Sequence, residues 1–329
     1  MVKKIFKILV VGCGSVGQRH ARLLSNRDDV DLYTADTVGA NLEECRNAAS
    51  VKEEFADYKD GLAKKMDGVI ICTPNEMHAD MALHSLSSGA CVLIEKPVAV
   101  SVEEACKLKR YEKAPKSRVL VGYMNRFNSQ LQEIKDMADQ GVFGNIVYAS
   151  ACVYTYPTLI YARTDYRLSS KWSLILDYTH EIDFLRFILG EVKEVAAMAD
   201  VLGELEKKPV PNVLELILRF DNRAIGHVHM DYVRDPDKRM LELVGDKASV
   251  EFYLNEGIIR IYNKERKGYE ERRIQFIRDE LFIRQIDNFI GMIREEQEPM
   301  VSLNDGIEVL RIAEAAIKSC SERRFVNVR

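Results

Sequence analysis

The first third of the chain alternates short apolar runs with amphipathic segments. Residues 8–11, 68–72 and 90–94 are continuously apolar, which is typical of parallel strands covered on both faces. The segment 76–88 between two of these runs has helical spacing of its apolar positions. This alternation predicts six strands with crossover helices, a doubly wound parallel sheet, in a first domain over residues 1–122.

The pattern changes after residue 122, where longer strand-like runs follow one another with only short turns between them. These runs lie at 145–156, 192–202, 212–220, 224–233, 240–244, 249–253 and 257–262. Helical spacing appears at 130–140, 174–189, 279–296 and 305–319. Direct turns between strands favour antiparallel pairing. The sequence therefore predicts a second domain, residues 123–329, of α+β class with an open, mostly antiparallel sheet that serves substrate binding and oligomerisation.

One face of such an open sheet is left uncovered by helices. A large apolar face is rarely left in water. We therefore expect the chain to form a homodimer or a homotetramer through this sheet.

Composition narrows the class of protein. A chain of 329 residues with 47% hydrophobic and 30% charged residues suits two globular domains. The net charge of −4 argues against a nucleic-acid partner. Seven cysteines without a CxxC pair predict reduced thiols. No apolar run approaches the roughly 18 residues of a membrane span, and no histidine spacing indicates a metal site. We therefore expect a cytoplasmic protein that neither spans a membrane nor binds a metal.

The most informative stretch of the chain is GCGSVG at residues 12–17, which directly follows the first apolar run. Gly12 allows a tight turn, Gly14 lets a diphosphate approach the backbone, and Gly17 lets the helix pack on the strand. The helix start, with Ser15 and Val16, offers backbone N–H groups to the phosphates. The strand–turn–helix context predicts a Rossmann-type dinucleotide site at these five residues.

The second strand ends on Asp36, nineteen residues after Gly17. A carboxylate at this place accepts hydrogen bonds from an adenosine ribose and repels a 2′-phosphate. The alternative is a glycine-rich turn that binds nothing. Strand, helix and acid in register favour dinucleotide binding, with NAD as the expected cofactor in preference to NADP.

A possible catalytic group, Glu95-Lys96-Pro97, follows the fifth strand, where the ligand crevice of such a sheet lies. Lysine carries a proton to or from a hydroxyl if burial lowers its pKa. Pro97 restrains Lys96 to an extended backbone, which sets the direction of its side chain. Glu95 either pairs with Lys96 or binds the ribose of the nicotinamide. The alternative is an ion pair at the protein surface.

A second possible group, Asp177-Tyr178-Thr179-His180-Glu181, lies inside the helix predicted over 174–189. Positions three apart on a helix share a face, so Asp177 and His180 are expected to reach one substrate. The unperturbed pKa of histidine lies close to neutral pH, which suits acid–base work. The alternative is a structural histidine.

These motifs together resemble the Gfo/Idh/MocA oxidoreductase family, which includes glucose–fructose oxidoreductase and inositol dehydrogenase. The resemblance extends over nearly the whole chain and rests on residues 12–20, Asp36, 73–75 with His78, 95–97, 122–127 and 176–190. The order D-x-T-H-E-x-D at 177–183 is similar to a subgroup associated with surface-sugar biosynthesis.

The resemblance implies a role for each matching residue. The glycine loop and Asp36 would bind NAD(P), and Lys96 would contact both cofactor and substrate. Asp177 and His180 would form the acid–base pair. Further cofactor contacts would come from Thr73, Pro74, Asn75, His78 and Glu95. Asn125 and Arg126 would lie near the substrate.

The chain departs from the family pattern at two places. Asp177 lies three residues before the histidine, whereas four is the common spacing. Lys171-Trp172-Ser173 stands where the subgroup usually has three glycines, so Trp172 would narrow or cover the site. Upstream, Tyr166 and Arg167 are candidate substrate contacts, with a structural role equally open.

The expected function is that of an NAD-dependent dehydrogenase or reductase acting on a CH–OH group. It would interconvert a secondary alcohol and a ketone on a sugar, a cyclitol or a nucleotide sugar, with His180 as base and Lys96 polarising the oxygen. Two alternatives stay open: a catalytically silent NAD-binding sensor, and a glycosidase or lyase that uses NAD transiently. Net turnover of nicotinamide is expected for the dehydrogenase or reductase and for neither of these two alternatives.

Overall fold

The computed structural model describes residues 4–111, 118–155, 171–202 and 210–329. Contacts divide the chain into two compact units, Met1–Phe127 with Arg278–Glu308, and Asn128–Ile277 with Val309–Arg329. The expected boundary after residue 122 lies near the first division, but residues 278–308 group with the first unit by contact. The functional division into cofactor and substrate domains stays a prediction. None of the described helices is long and apolar enough to cross a membrane.

The first unit is built on a parallel sheet of six strands. Its strands are β1 (Phe6–Val11), β2 (Val30–Ala35), β3 (Glu53–Phe55), β4 (Gly68–Ile71), β5 (Cys91–Ile94) and β6 (Val119–Val121). Their order is β3-β2-β1-β4-β5-β6. The helices are α1 (Ser15–Ser25), α2 (Gly39–Ala48), α3 (Tyr58–Leu62), α4 (His78–Ser87), α5 (Val102–Cys106) and, later in the chain, α9 (Arg278–Ile293). The predicted doubly wound parallel sheet is confirmed.

The ligand crevice of this sheet follows from its strand order. The chain runs outwards from β1 in one direction through β2 and β3, and in the other through β4, β5 and β6. Such a reversal leaves a crevice at the carboxyl ends of the strands beside it. Residues Val10, Ile70 and Leu93 in the three central strands are 0% exposed, so the crevice has a rigid floor.

Strand β3 has no apolar run in the sequence. It pairs with β2 at the edge of the sheet, and of its three residues only Phe55 is buried. An edge strand that is covered on one side needs little hydrophobic sequence, so the apolar pattern did not locate it.

The second unit is built on a mixed sheet of nine strands. They are β7 (Ile146–Tyr154), β8 (Val192–Asp200), β9 (Val213–Phe220), β10 (Ile225–Asp231), β11 (Lys238–Gly245), β12 (Ala248–Tyr253), β13 (Ile258–Asn263), β14 (Gly268–Arg273) and β15 (Val326–Asn327). Their order is β14-β13-β12-β11-β7-β10-β9-β8-β15. Only β7 and β10 pair in parallel, which confirms the predicted mostly antiparallel sheet. The helices are α6 (Ser129–Asp139), α7 (Ser173–Asp177), α8 (His180–Leu189) and α10 (Leu303–Glu322), of which residues 303–308 group with the first unit.

The helix predicted over residues 174–189 is in fact two helices, which corrects the sequence analysis. Helix α7 ends at Asp177 and α8 begins at His180. At the break, Tyr178 has φ −114° and ψ 31°. Its hydroxyl lies 2.7 Å from the Thr155 hydroxyl, and its ring meets Tyr232 edge-on. These contacts hold the residue outside helical geometry, so the argument from one continuous helix face does not hold for Asp177 and His180.

The nine-stranded sheet has one covered and one open face. Helices α7 and α8 pack on the covered face, where Leu216 and Val228 are 0% exposed. The open face carries exposed apolar side chains at Met198 (74%), Ile217 (48%) and Ile225 (44%). Glu215 lies opposite Met198 and Arg219 lies opposite Ile225 on the neighbouring strands, so the open face also carries charge.

The open face generates a prediction about assembly. If this face is the contact between copies, the chain will have the mass of a dimer or tetramer at micromolar concentration. Ile217→Glu places a carboxylate among the apolar side chains and should lower that mass. Ile283→Glu changes an isoleucine that is 42% exposed on α9 and serves as the control. A monomeric mass of the unaltered chain by light scattering would overturn the prediction.

Candidate functional site

The glycine loop is shaped by two close approaches of backbone to backbone. Gly12 has φ +88°, and a Cβ there would lie 2.7 Å from the carbonyl oxygen of Cys72. A Cβ on Gly17 would lie 1.8 Å from the carbonyl oxygen of Gly12. Only glycine fits these two places, because backbone atoms cannot move aside as a flexible side chain can.

Gly14 differs from Gly12 and Gly17 because it borders open space. A Cβ at Gly14 would meet no atom within 4 Å, and its φ of −71° suits any residue. Gly14 is also the N-cap of α1, where it supplies no side-chain acceptor, and the first turn contains no acid. Open space at the positive end of an uncapped helix fits a diphosphate. The loop residues, including Ser15 and Val16 in the first turn, therefore fit a dinucleotide.

The carboxylate of Asp36 is held at the end of β2. One oxygen accepts hydrogen bonds from the backbone N–H of Cys13 at 2.7 Å and from the Asn41 amide at 3.1 Å. The other accepts from the backbone N–H of Val38 at 2.8 Å. The acid expected to meet the ribose is thus tied directly to the glycine loop, at partial exposure.

His78 joins two loops at the strand ends. Its side chain is 1% exposed, with Nδ1 2.7 Å from the carbonyl oxygen of Pro97 and Nε2 2.9 Å from that of Thr73. Burial lowers the pKa of His78, and the two carbonyl hydrogen bonds oppose this. Pro74 and Asn75, expected beside the cofactor, start the short 3-10 turn that leads into α4. His78 therefore holds the loops at Thr73 and Pro97 together, and its expected part in cofactor binding stays a prediction.

Glu95 and Lys96 follow β5 at the crevice. Oε1 of Glu95 lies 3.1 Å from Nε2 of His20 on α1, and Oε2 accepts from the backbone N–H of Lys96 at 3.4 Å. Burial raises the pKa of Glu95, but the His20 hydrogen bond and the charges of His20 and Lys96 outweigh it, so the pKa is lowered. Glu95 is therefore ionised at neutral pH.

Sequence reasoning assigned no role to His20, although the residue belongs to the quoted glycine motif. No signal in the sequence pairs it with Glu95, because 75 positions separate the two residues.

Asn125 and Arg126 lie in a 3-10 turn after β6, and they are 3% and 4% exposed. Arg126 forms an ion pair with Asp305, with 3.3 Å between the charged atoms. Nδ2 of Asn125 is buried and has no hydrogen-bond partner in the part of the chain that the structure describes. Of the two residues expected near a substrate, Asn125 offers a donor and Arg126 is already paired.

The second unit holds the other expected pair. Asp177, the last residue of α7, is 8% exposed, and His180, the first residue of α8, is 7% exposed. The next residue, Glu181, is fully buried, and its Oε1 lies 2.7 Å from Nε of Arg239 on β11. This ion pair ties the start of α8 to the sheet and so holds the backbone of His180, the first residue of that helix, in place.

Trp172 is the N-cap residue of α7 and is half-buried. The ammonium of Lys171 lies 5.1 Å from the centre of its ring, within cation–π range. Tyr166 and Arg167, the other expected substrate contacts, lie outside the described residues.

Three features together define a dinucleotide-binding class of protein: the parallel sheet, the glycine loop with open space at Gly14, and the strand-end carboxylate of Asp36. Two family models cover the chain. Residues 6–123 match the oxidoreductase family, NAD-binding Rossmann fold, and residues 135–328 match the C-terminal alpha/beta domain of the same family. The chain belongs to the Gfo/Idh/MocA oxidoreductase family.

Curated relatives match the chain over nearly its full length. A myo-inositol 2-dehydrogenase of Thermotoga maritima is 25% identical over 98% of both chains. An inositol 2-dehydrogenase of Rhizobium meliloti is 26% identical, covering 97% of this chain and 98% of that one. A solved levoglucosan dehydrogenase, in complex with NADH and levoglucosan, shares the fold with a TM-score of 0.86, at 19% identity over 99% and 100% of the two chains. The predicted cofactor, NAD, and the predicted class, an NAD(P)-dependent dehydrogenase or reductase, are confirmed.

The open space at Gly14 can be tested directly. Gly14→Ala adds a methyl group that meets no protein atom but occupies the space of a diphosphate. We expect an unchanged melting temperature and a Kd for NADH raised at least about tenfold, measured by fluorescence titration. Gly39→Ala is the matched control, because a Cβ at Gly39 also meets nothing within 4 Å. Unchanged NADH affinity in Gly14→Ala would contradict this placement.

The charge of Asp36 generates a prediction about cofactor choice. The unaltered chain should bind NADH at least about tenfold more tightly than NADPH, because a carboxylate repels the 2′-phosphate. Asp36→Asn removes the charge and keeps an acceptor oxygen for one of the two backbone N–H groups, those of Cys13 and Val38, so the preference should shrink. Asp57→Asn is the matched control, because Asp57 is another acid whose carboxylate accepts from a backbone N–H two residues later, that of Lys59. Equal affinity for both cofactors in the unaltered chain would refute the argument.

Proposed function

We propose that this chain interconverts a secondary alcohol and a ketone on a sugar or cyclitol, free or nucleotide-linked, with NAD as its cofactor. The observation that carries the proposal is Lys96, which follows a central parallel strand in the same unit as an open glycine loop. The names of the two inositol dehydrogenases, which match nearly the full chain, support a polyhydroxylated substrate.

The cofactor would be held by residues of the first unit. The glycine loop would bind the diphosphate and Asp36 the adenosine ribose, while the loop from Thr73 to Asn75 would line the nicotinamide half. Bound NAD would supply the acceptor or donor of the hydride that leaves or enters at the carbinol carbon. The chain's own task is to hold the substrate and to manage its proton.

Lys96 would polarise the substrate oxygen with its ammonium group. Positive charge placed where negative charge develops stabilises the transition state. His180 would take the hydroxyl proton on an imidazole nitrogen as the alcohol is oxidised, and would return it in the reverse direction. Asp177 would orient His180 or hold a neighbouring hydroxyl group.

Asn125 would contribute a substrate contact, because its buried Nδ2 has no hydrogen-bond partner among the described residues. A buried donor without an acceptor costs about 1–3 kcal/mol, and a substrate hydroxyl would supply that acceptor. Contacts from Tyr166 and Arg167 remain proposals, as do the cytoplasmic location and the homo-oligomer.

A second candidate function is an NAD-binding sensor without catalysis. The observation that favours it is Trp172, a large half-buried ring next to α7 where related sequences were expected to have glycine. Such a ring would restrict access for a substrate while leaving cofactor binding intact.

The test of catalysis is absorbance of reduced nicotinamide, with NAD and a panel of inositols, sugars and nucleotide sugars. We expect turnover with one substrate class, and a fall in kcat of about 10²–10⁴-fold in Lys96→Ala and in His180→Ala. Lys52→Ala and His84→Ala are matched controls, because both residues are exposed and pair only with surface groups.

Each alternative outcome has a distinct meaning. No turnover with tight NADH binding would overturn the enzyme and support the sensor. Product formation that requires NAD without net NADH would identify a transient redox reaction. Loss of turnover in Lys96→Ala together with near-normal turnover in His180→Ala would reverse the two proposed roles.

A further inference from the structure

His20 is a buried polar residue in the first unit that the proposed chemistry does not use. It lies on α1, five residues after the start of that helix, and is 0% exposed. Its ring meets Phe282 edge-on, with ring centres 5.2 Å apart. A polar side chain in the core is costly unless it makes a specific hydrogen bond, so its partner reveals its role.

That partner is the carboxylate of Glu95. Nε2 of His20 lies 3.1 Å from Oε1 of Glu95. An ionised carboxylate only accepts hydrogen bonds, so Nε2 carries the hydrogen and donates it. Hydrogen bonds to a charged group are stronger than those between neutral groups. His20 therefore fixes one oxygen of Glu95.

The same carboxylate is confined from the side of β6. A Cβ on Gly122 would lie 2.8 Å from Oε2 of Glu95 and 2.9 Å from its Cα. The hydrogen in place of a side chain at Gly122 is what leaves room for the carboxylate. The Glu95 carboxylate is therefore held between His20 and the close backbone of Gly122.

In that orientation Glu95 reaches the backbone of Lys96. Its Oε2 accepts from the Lys96 N–H at 3.4 Å, at the turn that follows β5. The backbone of Lys96 sets the point from which its flexible side chain extends. A continuous series of contacts thus runs from α1, through His20 and Glu95, to the main chain of Lys96.

We propose that His20 is a positioning residue, which holds the Glu95 carboxylate so that the main chain of Lys96 presents its ammonium to the substrate. The proposal rests on the proposed function of Lys96. It also links the lysine to the phosphate-binding helix, because His20 and the glycine loop belong to the same rigid element. A role in packing alone is the rival explanation.

Three substitutions of His20 separate the two explanations. His20→Gln keeps an amide donor at the distance of Nε2, whereas His20→Asn places its donor one bond short of Glu95. His20→Leu fills the space without any donor. Phe282→Leu is the matched control for packing, because it alters the ring contact of His20 and leaves the hydrogen bond to Glu95 in place.

The primary readout is hydrogen exchange of the Lys96 amide, measured by NMR on protein labelled with ¹⁵N-lysine, with and without NADH. This readout needs no substrate. We expect exchange at Lys96 to be about tenfold faster in His20→Asn and His20→Leu, and within about threefold of the unaltered chain in His20→Gln and Phe282→Leu. Melting temperatures establish that each variant is folded.

The secondary readout is the split between kcat and KM for NAD with the panel substrate that gives turnover. We expect a lower kcat at unchanged KM in His20→Asn, with recovery in His20→Gln. Unchanged Lys96 exchange in both His20→Asn and His20→Leu would overturn the proposal, as would equal acceleration in Phe282→Leu. Full turnover in Lys96→Ala would instead refute the role of Lys96, while the exchange data would still decide whether His20 holds its backbone.

Discussion

The first unit depends on the contact between the end of β1 and the start of α1. A Cβ on Gly17 would lie 1.8 Å from the carbonyl oxygen of Gly12, and a Cβ on Gly12 would lie 2.7 Å from that of Cys72. Three backbone segments therefore meet without side chains between them. This closeness brings the helix end to the crevice, leaves space at Gly14, and places His20 where it reaches Glu95 on β5. A larger residue at Gly12 or Gly17 would push the three segments apart. It would thereby also disturb the space at Gly14 and the contact of His20 with Glu95.

Several polar groups around the crevice of the first unit have hydrogen-bond partners, as buried polar groups in proteins usually do. His78 lies against two backbone carbonyls, Asp36 accepts from three donors, and Glu95 is held by His20. These side chains are expected to serve the cofactor, and they also hold the loops that form its site. If these residues bind the cofactor as proposed, the same side chains serve binding and scaffold, which would give a preorganised site at the strand ends.

The second unit places its expected acid–base pair at a break between helices. Asp177 closes α7 and His180 opens α8, while Tyr178 between them is tied to Thr155 and Tyr232. The Glu181–Arg239 ion pair fixes the start of α8 on the sheet. A break of this kind gives each side chain its own direction, which one continuous helix would not allow. Asp177 and His180, which are three residues apart, therefore lie on two different helices.

The sequence by itself determined the two sheets, the glycine loop, the strand-end acid and the position of Lys96. Those features are local: apolar period, glycine spacing and turn residues all act within about twenty positions. Only the tertiary structure decided the partner of His20, the break at Tyr178, the edge strands β3 and β14, and the contact of residues 278–308 with the first unit. These features depend on contacts between positions far apart in the sequence, or on edge strands made of polar residues. In neither case does the spacing of apolar residues or the composition carry a signal.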